Sequence, residues 1–477
     1  MALGILGCLI PGFASHAHER STVGERYDGK VEKRSRSRPE FFWEYLRHHV
    51  PVPGMLPRGT VESRRSRVVT VQRRTPATMF AAAAAGALAF SLVSCSSPDD
   101  AAEGTSSSAP AASATQSTAE TGADSGDPTT SCVDGEQDLA TLAASTLAVG
   151  VVGFDDAADA VDAGVRHIFI GSSTDLSILD GQGDPERSIT ALKERAAEAG
   201  GELTVSVDEE GGQVQRLGEI IGELPSAREL ADTLSPEEVR GVFAEHGRKM
   251  HDLGITMDFA PVVDLAGGES ISDNAIGDRA FSDDPQIVTD YGRAAVEGLL
   301  DAEVTPVIKH FPGHGHATGD SHEGTVTTPP IEEMGADLAP FAELWQMPGV
   351  AVMVGHMQTP GLDSQDTGGV LGAETPSSLN PAAYALLRDG LQGLDGENAP
   401  GFDGVVFTDD LTGMQAITDL HDGPQAVVQA LRAGADAPLT STAADVPATV
   451  DGLVAAVENG DLDRDRLTEA ADRLCAV

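Results

Sequence analysis

Short apolar runs alternate with longer segments of helical periodicity from about residue 147 to the C-terminus. Runs that are apolar at nearly every position indicate strands covered on both faces, and a helical segment between consecutive runs indicates a parallel connection. We therefore expect a parallel sheet. The predicted strands are residues 147–154, 165–171, 202–208, 255–264, 304–310, 350–357, 404–409 and 437–440.

The segments between these strands predict helices at residues 185–199, 236–253, 285–300, 331–345, 381–394 and 425–433. Eight strand–helix units between residues 132 and 477 predict an α/β fold, a single-domain (β/α)8 TIM barrel, with an open doubly wound sheet as the alternative. Pro438 is awkward in a central strand because it has no N–H group to donate. The sequence therefore leaves open whether the barrel closes normally at the eighth strand.

Polar residues fall at the C-terminal ends of the predicted strands. In a barrel these ends open onto one face, so residues that are distant in sequence converge there. This pattern predicts a single site at that face. The strand-end residues are Asp208, Asp264, Lys309, His310, His356 and Asp409.

Charge is unevenly distributed along the 477 residues, which contain 31 Lys and Arg against 75 Asp and Glu. Residues 1–94 hold 14 of the basic and 7 of the acidic residues, which leaves 17 and 68 for residues 95–477. Because a surface this acidic repels polyanions, we expect no nucleic-acid partner.

The N-terminal part divides into segments of different composition. Residues 1–70 are Arg-rich and aperiodic, which indicates an unstructured extension from a misassigned start or, alternatively, a cytoplasmic tail. Residues 71–95 place two arginines before a short apolar run, as an export signal does, although a buried Ala-rich helix is the alternative. Residues 96–131 are rich in Ser, Ala and Thr, which predicts a flexible tether to the globular segment 132–477.

The cysteines bear on localisation. Residues 92–95 (LVSC) resemble the bacterial lipoprotein box, in which Cys95 is lipidated and becomes the mature N-terminus. We therefore expect an exported protein on the outer face of the cell membrane. Cys132 and Cys475 lie at the two ends of the predicted domain, where an oxidising compartment favours a disulfide between them. Two unrelated free thiols are the alternative.

Two aspartates end the seventh predicted strand, in residues 405–411 (VVFTDDL). A carboxylate at this position can attack the anomeric carbon of a sugar or stabilise an oxocarbenium ion, so Asp409 is a candidate nucleophile. The alternative role is a helix N-cap, which Asp410 fits better.

A loop broken by glycine and proline follows the fifth predicted strand and carries Asp320 and His322. In an extended loop, the carboxylate can fix the orientation and tautomer of the imidazole two residues later. Such a histidine can protonate a leaving oxygen and then deprotonate water. The alternative is a surface histidine in a polar loop, although the glycines favour a movable lid.

The same region raises the question of a metal site, because it contains His310, His314, His316 and His322. Their spacing is not a standard zinc pattern, and no obvious set of carboxylate ligands accompanies them. We therefore expect neither a metal nor another cofactor.

Residues 208–216 (DEEGGQVQR) follow the third predicted strand, and their glycines bring the backbone close to a ligand. We expect Asp208 and Arg216 to bind sugar hydroxyls, and the guanidinium of Arg279 to bind a hydroxyl or an amide carbonyl. A glycine turn with solvated acids and an exposed, ion-pairing arginine are the alternatives.

Four motifs, in this order, resemble glycoside hydrolase family 3 and, within it, the single-domain β-N-acetylglucosaminidases. They are D-E-E-G-G-Q-V-Q-R at 208–216, I-G-D-R-A-F at 276–281, K-H-F-P-G-H-G with D-S-H at 309–322, and T-D-D-L-T-G-M at 408–414. The resemblance implies a TIM barrel that releases terminal β-linked N-acetylglucosamine in two steps with retention of configuration.

The resemblance also implies roles for individual residues. Asp409 matches the nucleophile, and His322 matches the general acid/base with Asp320 as its partner. The positions that match sugar-binding residues are Asp208, Arg216, Arg279, Lys309 and His310.

Other interpretations remain open. A family 3 enzyme of another specificity, such as a β-glucosidase or a phosphorylase, would use the same intermediate, but the histidine loop accompanies N-acetyl substrates. A non-catalytic glycan-binding lipoprotein would need neither Asp409 nor His322. The expected partners are a carbohydrate from cell-wall or other glycan and the membrane, through the lipid on Cys95. We expect a monomer.

Overall fold

The computed structural model describes residues 137–266, 275–362, 374–394 and 397–475. The predictions for the extension, the export signal, the tether, Cys95 and Cys132 lie outside these ranges. The strands are β1 (Ala148–Val151), β2 (His167–Ile170), β3 (Thr204–Val207), β4 (Met257–Asp258), β5 (Thr305–Phe311), β6 (Ala351–Val354), β7 (Leu391–Leu394), β8 (Glu397–Ala399), β9 (Val406–Thr408) and β10 (Leu439–Thr440).

Helices connect the strands on the outside of the sheet. They are α1 (Leu139–Ser145), α2 (Phe154–Asp162), α3 (Ile189–Glu198), α4 (Gly218–Ile221), α5 (Ala227–Thr233), α6 (Pro236–Asp252), α7 (Pro285–Leu300), α8 (Gly335–Leu344), α9 (Pro381–Asp389), α10 (Gln415–Thr418), α11 (Gly423–Ala433), α12 (Val446–Asn459) and α13 (Arg464–Leu474).

Eight parallel strands form one sheet in the order β10–β1–β2–β3–β4–β5–β6–β9. β10 pairs with β1, and a parallel bridge between Phe407 and Ala437 joins the segment before β10 to β9. The strand order therefore closes on itself. The (β/α)8 TIM barrel expected from the sequence is confirmed, and the open sheet is excluded.

Apolar side chains cover both faces of the strands, which explains the nearly continuous apolar runs in the sequence. One buried cluster fills the barrel and contains Phe259, whose ring lies 5.3 Å from that of Phe169 and 5.4 Å from that of Phe407. A larger cluster lies between the strands and the helices. These two buried apolar clusters form a rigid support for the side chains at the strand ends.

The fourth strand is shorter than predicted. We expect a strand over residues 255–264, but β4 covers Met257–Asp258. Pro261 has no N–H group to continue the ladder, and the chain instead touches β5 through a bridge from Val262 to Lys309. This irregular exit brings Asp264 beside the end of β5.

The helix predicted over residues 381–394 is wrong beyond Asp389. Gly390 follows with a φ of 81°, a left-handed conformation that ends helices, and β7 then forms an antiparallel hairpin with β8 outside the barrel. The helix predicted over residues 331–345 likewise begins as a 3₁₀ turn, Ile331–Glu333, before α8. The pattern did not predict α12 and α13.

Pro438 does not interrupt the eighth strand. It precedes β10, and its carbonyl accepts a hydrogen bond of 3.0 Å from the N–H of Ala148 on β1. Because a carbonyl is the group that this position supplies to the ladder, the missing N–H of proline has no cost here. The eighth strand therefore pairs with β1 despite Pro438.

A buried charge cluster fixes the N-terminal end of the barrel to the last helix. Asp436, fully buried just before β10, accepts hydrogen bonds of 2.6 Å from Arg388, 2.6 Å from Arg466 and 3.1 Å from Arg473. Glu469 pairs with the last two of these arginines. We call Asp436, Glu469, Arg388, Arg466 and Arg473 the base cluster.

The C-terminal end of the described chain carries Cys475, which is disulfide-bonded. Cys132, the partner expected from the sequence, lies outside the described ranges, so the pairing of these two cysteines stays a prediction. Across the described residues, no helix combines the length and the apolar character that a bilayer-spanning segment needs.

Candidate active site

A cavity of about 320 Å³ lies at the C-terminal ends of the barrel strands. Side chains from β3, β5, β9 and their following loops reach its wall. The predicted site residues in this wall are Asp208, Arg216, Arg279, Lys309, His310, His322 and Asp409. Asp320 is not part of the wall and contacts His322 instead. The structure therefore brings together residues that are separated by as many as 201 positions in the chain, from Asp208 to Asp409.

Asp409 is the first residue after β9. Its backbone N–H donates to the carbonyl of Val354 on β6 at 2.9 Å, and its Oδ1 accepts from the N–H of Asp410 at 2.9 Å. The sequence favoured Asp410 as a helix N-cap. In the structure its Oδ1 instead accepts from the N–H of Thr412 and closes a turn. The turn presents the Asp409 carboxylate to the cavity.

The carboxylate of Asp409 is held in its ionised form. Burial alone would raise its pKa, but the positive charges that His356 and His310 acquire at low pH, together with the charge of Lys309, outweigh burial and lower the pKa of Asp409 to about 2. The Nε2 atom of His310 lies 4.0 Å from Asp409 Oδ2. An ionised, mostly desolvated carboxylate has the properties of a nucleophile.

A second group of charges also lines the cavity. Lys309 Nζ lies 2.7 Å from Asp208 Oδ1 and 2.7 Å from Glu210 Oε1. Arg279 binds Glu210 with two hydrogen bonds, of 2.7 Å and 2.9 Å. Arg216 lies 3.5 Å from Asp208 Oδ2. We call Asp208, Glu210, Arg216, Arg279 and Lys309 the mouth cluster.

Lys309 and Glu210 keep their charges despite burial. Burial lowers the pKa of Lys309, but Asp208 and Glu210 outweigh it and raise that pKa to about 12. Burial would raise the pKa of Glu210, but Arg279 and Lys309 outweigh it and hold the pKa well below its usual value. Charged donors and acceptors fixed at one wall suit the hydroxyl groups of a sugar.

His310 is oriented by a carboxylate from the irregular exit of β4. Its Nδ1 lies 2.7 Å from Asp264 Oδ2, and Arg279 Nη2 donates to its Nε2 at 3.4 Å. The guanidinium can only donate, so His310 Nε2 accepts and Nδ1 carries the proton to Asp264. Asp264 also accepts from the N–H of His314 at 2.6 Å, which fixes the start of the following loop.

The loop after β5 carries the predicted acid/base pair. His322 Nδ1 lies 2.7 Å from Asp320 Oδ1, and the backbone N–H of His322 donates to the same oxygen at 3.0 Å. Because the carboxylate accepts at Nδ1, His322 Nε2 is the nitrogen that is available for proton transfer. Its side chain is 64% exposed, so both water and a leaving group can reach it.

Hydrogen bonds fix this loop at its base and near its tip. Thr318 N–H donates to the carbonyl of Thr327 at 2.9 Å, and the N–H of Ala416 donates to the carbonyl of Ser321 at 3.1 Å. Ala416 belongs to α10, which follows the turn that carries Asp409. The residue beside His322 is therefore tied to the segment that follows the candidate nucleophile.

Two glycines allow the loop to pack against the barrel rim. A Cβ atom at Gly315 would lie 2.0 Å from the carbonyl oxygen of Leu265, and one at Gly313, where φ is 131°, would lie 2.7 Å from Asp337 Cβ. Asp337 also binds His316 Nδ1 at 2.8 Å, and this hydrogen bond raises the pKa of His316. The K-H-F-P-G-H-G motif thus has a packing reason for its glycines.

Several residues that shape the site could not be assigned a role from the sequence. Glu210 binds two cations of the mouth cluster, although its motif reads equally well as solvated acids. Glu209 is fully buried, accepts from the N–H of Arg216 at 2.6 Å and pairs with His246 at 3.0 Å. The pattern marked Asp264 only as a strand-end polar residue.

The histidines of the region have separate partners: Asp264 for His310, Asp337 for His316 and Asp320 for His322. Within the described ranges, no group of three or more His, Cys, Asp or Glu side chains is arranged to hold a metal ion. The arrangement consists of a fixed carboxylate, an accessible imidazole and a wall of charged hydrogen-bonding groups. This set can support acid/base-assisted displacement at a sugar.

The fold and this set of residues define a glycoside hydrolase. Residues 159–477 match the sequence model of the "Glycosyl hydrolase family 3 N terminal domain". The chain therefore belongs to glycosyl hydrolase family 3.

Named relatives support this placement. The beta-hexosaminidase LpqI of Mycobacterium tuberculosis is 49% identical over 319 residues, which cover 65% of this chain and 76% of that protein. A beta-hexosaminidase of Hydrogenovibrio crunogenus is 34% identical over 276 residues, which cover 56% of this chain and 70% of that protein.

Solved structures resemble the fold. A family 3 glycosyl hydrolase of Mycobacterium smegmatis has a TM-score of 0.64 and 48% identity, covering 71% of this chain and 98% of that chain. A family 3 β-N-acetylglucosaminidase of Paenibacillus has a TM-score of 0.62 and 30% identity, covering 71% of this chain and 62% of that chain.

Proposed function

We propose that this protein is an exo-acting, retaining β-N-acetylglucosaminidase that removes terminal β-linked N-acetylglucosamine from glycan fragments, with cell-wall fragments the expected source. The observation that carries the proposal is that Asp409 and His322 line the same cavity of about 320 Å³. This volume lies at the lower end of the range for small-molecule sites, which suits one terminal sugar ring. The names of the relatives support the N-acetylhexosaminide specificity.

In the first proposed step, an Asp409 carboxylate oxygen attacks the anomeric carbon, and the bond from that carbon to the leaving oxygen breaks. His322 gives the proton on Nε2 to the leaving oxygen, while Asp320 holds Nδ1. The products of this step are the free alcohol and a sugar ester on Asp409.

In the second proposed step, His322 Nε2 takes a proton from water, and the water oxygen attacks the anomeric carbon. The ester bond breaks and Asp409 leaves as a carboxylate. Two inversions at one carbon give net retention. The pKa of about 2 makes Asp409 a competent leaving group as well as an ionised nucleophile.

The mouth cluster supports recognition of the sugar. Asp208, Arg216, Arg279 and Lys309 present charged donors and acceptors to the cavity, with His310 beside them. Since each partner already holds the others in place, little side-chain ordering is needed when a sugar binds.

A panel of aryl glycosides, assayed with and without phosphate, tests the proposed function. We expect release from the β-N-acetylglucosaminide in preference to the β-glucoside, with free N-acetylglucosamine as the product in both buffers. We expect Asp409→Ala to lose at least about 10⁴-fold in kcat. The matched control is Asp403→Ala, because Asp403 is an exposed aspartate that precedes β9 whereas Asp409 follows it.

Each arm of this panel can contradict a part of the proposal. Preference for the β-glucoside would overturn the substrate assignment. A sugar 1-phosphate in phosphate buffer would identify a phosphorylase. Full activity of Asp409→Ala would remove the nucleophile, and no activity of the wild-type protein on any glycoside would favour a glycan-binding role.

We further propose export and anchoring through a lipid on Cys95. The support is the sequence alone, namely the basic and apolar segment before Cys95 and the polar segment 96–131 after it. Mass spectrometry of protein extracted from membranes is expected to show a lipidated Cys95 as the first residue. An unmodified protein that begins near residue 1 would contradict this proposal.

A further inference from the structure

His356 is a buried histidine beside the candidate nucleophile. It lies two residues after β6, the strand that neighbours β9, and is 1% exposed. It does not belong to the wall of the cavity. A histidine in this place cannot exchange protons with a bound sugar directly, so its contacts with the protein determine what it does.

Both ring nitrogens of His356 have a partner. Nε2 lies 2.9 Å from the carbonyl oxygen of Asp410, and Nδ1 lies 2.7 Å from Ser378 Oγ. A carbonyl oxygen can only accept, so Nε2 carries the proton and Nδ1 accepts from the serine hydroxyl. The neutral ring fits this assignment, because burial lowers the pKa of His356.

The serine that orients His356 is itself fixed. The N–H of Ser378 donates to the carbonyl of Gly355 at 3.0 Å, and the carbonyl of Ser378 accepts from Tyr384 Oη–H at 2.8 Å. Tyr384 is among the largest fully buried side chains of the described protein. The imidazole therefore has one orientation and one tautomer.

Asp410 transmits this orientation to Asp409. The carbonyl of Asp410 accepts from His356, while its N–H donates to Asp409 Oδ1 at 2.9 Å. The residue after the nucleophile is thus held on both sides, once by β6 through His356 and once by the carboxylate. Without the hydrogen bond from His356, the carbonyl of Asp410 loses the contact that fixes the plane of this peptide, and the Asp409 carboxylate bonded to the N–H of Asp410 can shift.

We propose that His356 is a positioning residue that aims the Asp409 carboxylate by donating a hydrogen bond from Nε2 to the carbonyl of Asp410. This inference rests on the proposed function, in which Asp409 is the nucleophile. A nucleophile must lie within a narrow range of distance and angle from the anomeric carbon, and a shift of 1 Å can cost about 100-fold in rate.

Two substitutions separate the two nitrogens of His356. Glutamine can place an amide donor near the position of Nε2, whereas asparagine reaches only the position of Nδ1. We expect His356→Asn to lose about 100-fold in kcat with little change in KM, and His356→Gln to recover most of that loss. The loss in His356→Asn is expected to be equal for aryl glycosides with good and poor leaving groups, since acid assistance by His322 is intact.

The matched control is His167, another buried histidine that bonds a serine. His167 begins β2, at the end of the barrel opposite the cavity, and its Nε2 lies 2.8 Å from Oγ of Ser206 on β3. We expect His167→Asn to lower the melting temperature and leave kcat of the folded enzyme unchanged. This control separates loss of a buried histidine from loss of the bond to Asp410.

The outcomes distinguish the inference from the function it rests on. If wild type is active, Asp409→Ala is inactive, and His356→Asn keeps wild-type kcat, only the positioning role fails. Equal losses in His356→Asn and His356→Gln would also overturn it. If His356→Asn does not fold, Ser378→Ala decides: a reduced kcat with unchanged KM supports the role, and an unchanged kcat refutes it. An inactive wild type would overturn the proposed function and this inference together.

Discussion

The mouth cluster and the base cluster have the same charge composition and lie at opposite ends of the barrel. Each contains two carboxylates and three cations, and each has a carboxylate that is almost fully buried, Glu210 in one and Asp436 in the other. The two clusters differ in the partners of those cationic N–H groups that do not bind the carboxylates of their own cluster. At the base, Arg388 also donates to the carbonyls of Phe402 and Gly404, at 2.8 Å and 2.7 Å.

At the mouth, donors remain for a ligand. Arg216 and Lys309 line the cavity, and Asp208 and Glu210 engage the ammonium of Lys309, which has three N–H donors. Burial and ion pairing are therefore common to a structural cluster and a binding cluster. The feature that identifies a site is the presence of fixed charges whose hydrogen-bonding capacity the protein has not used.

The base cluster gives the largest expected effect on stability. Asp436→Asn leaves three arginines around a neutral amide, and breaking a buried ion pair in this way costs about 3–5 kcal/mol. We expect this loss in denaturant unfolding, with kcat and KM of the folded enzyme unchanged. If Asp436→Asn instead lost activity and kept the stability of wild type, the two clusters would not be functionally distinct.

Of the substitutions in these two clusters, one in the mouth cluster gives the largest expected effect on activity. Glu210→Gln removes the carboxylate that holds Lys309 and Arg279, so these donors no longer keep their positions. We expect a loss of about 100-fold in kcat/KM at a temperature where the variant is folded. Activity equal to wild type would place Glu210 with the structural acids of the base.

A third buried carboxylate lacks a cation in contact and sharpens the comparison. Asp258 Oδ1 accepts from the N–H of Glu209 at 3.0 Å, and Oδ2 has no partner among the described residues. Burial raises the pKa of Asp258 well above its usual value of 3.8. The folded protein therefore favours the protonated acid, and this contribution to stability is lost as pH rises through the folded-state pKa.

Asp258→Asn keeps the side chain neutral at every pH. We expect the variant to gain stability relative to wild type as pH rises above about 4, by about 1 kcal/mol at neutral pH, the scale of a typical single substitution. Thermal unfolding at several pH values measures this difference. A gain that is constant with pH, or a loss confined to high pH, would contradict the assignment of a raised pKa.

The sequence indicated which strand-end residues lie at the cavity because these signals are local. Lys309, His310 and Asp409 are polar residues that end apolar runs, and a barrel turns that position in the chain into a position in space. The roles of Glu210 and Asp264 were not accessible in this way. Which of several neighbouring acids is buried depends on cations and backbone groups from other strands.

The base cluster could not be predicted, because Arg388, Asp436 and Arg473 lie far apart in sequence and each reads as a surface charge. The β7–β8 hairpin was missed for a related reason. Residues 390–394 continue the apolar pattern of α9, and only the left-handed conformation of Gly390 ends that helix. Long-range pairing and single backbone angles are the parts of this fold that periodicity does not encode.

The central claim is that Asp409 and His322 act on one sugar in one cavity, and His322→Ala tests it most directly. With a good leaving group the first step needs little acid assistance, whereas the second step lacks its base, so the glycosyl-enzyme accumulates. We expect rapid-quench mass spectrometry to show the protein mass increased by one N-acetylglucosaminyl group, located by peptide mapping at Asp409. An unmodified protein throughout turnover, or the sugar on another residue, would contradict the account.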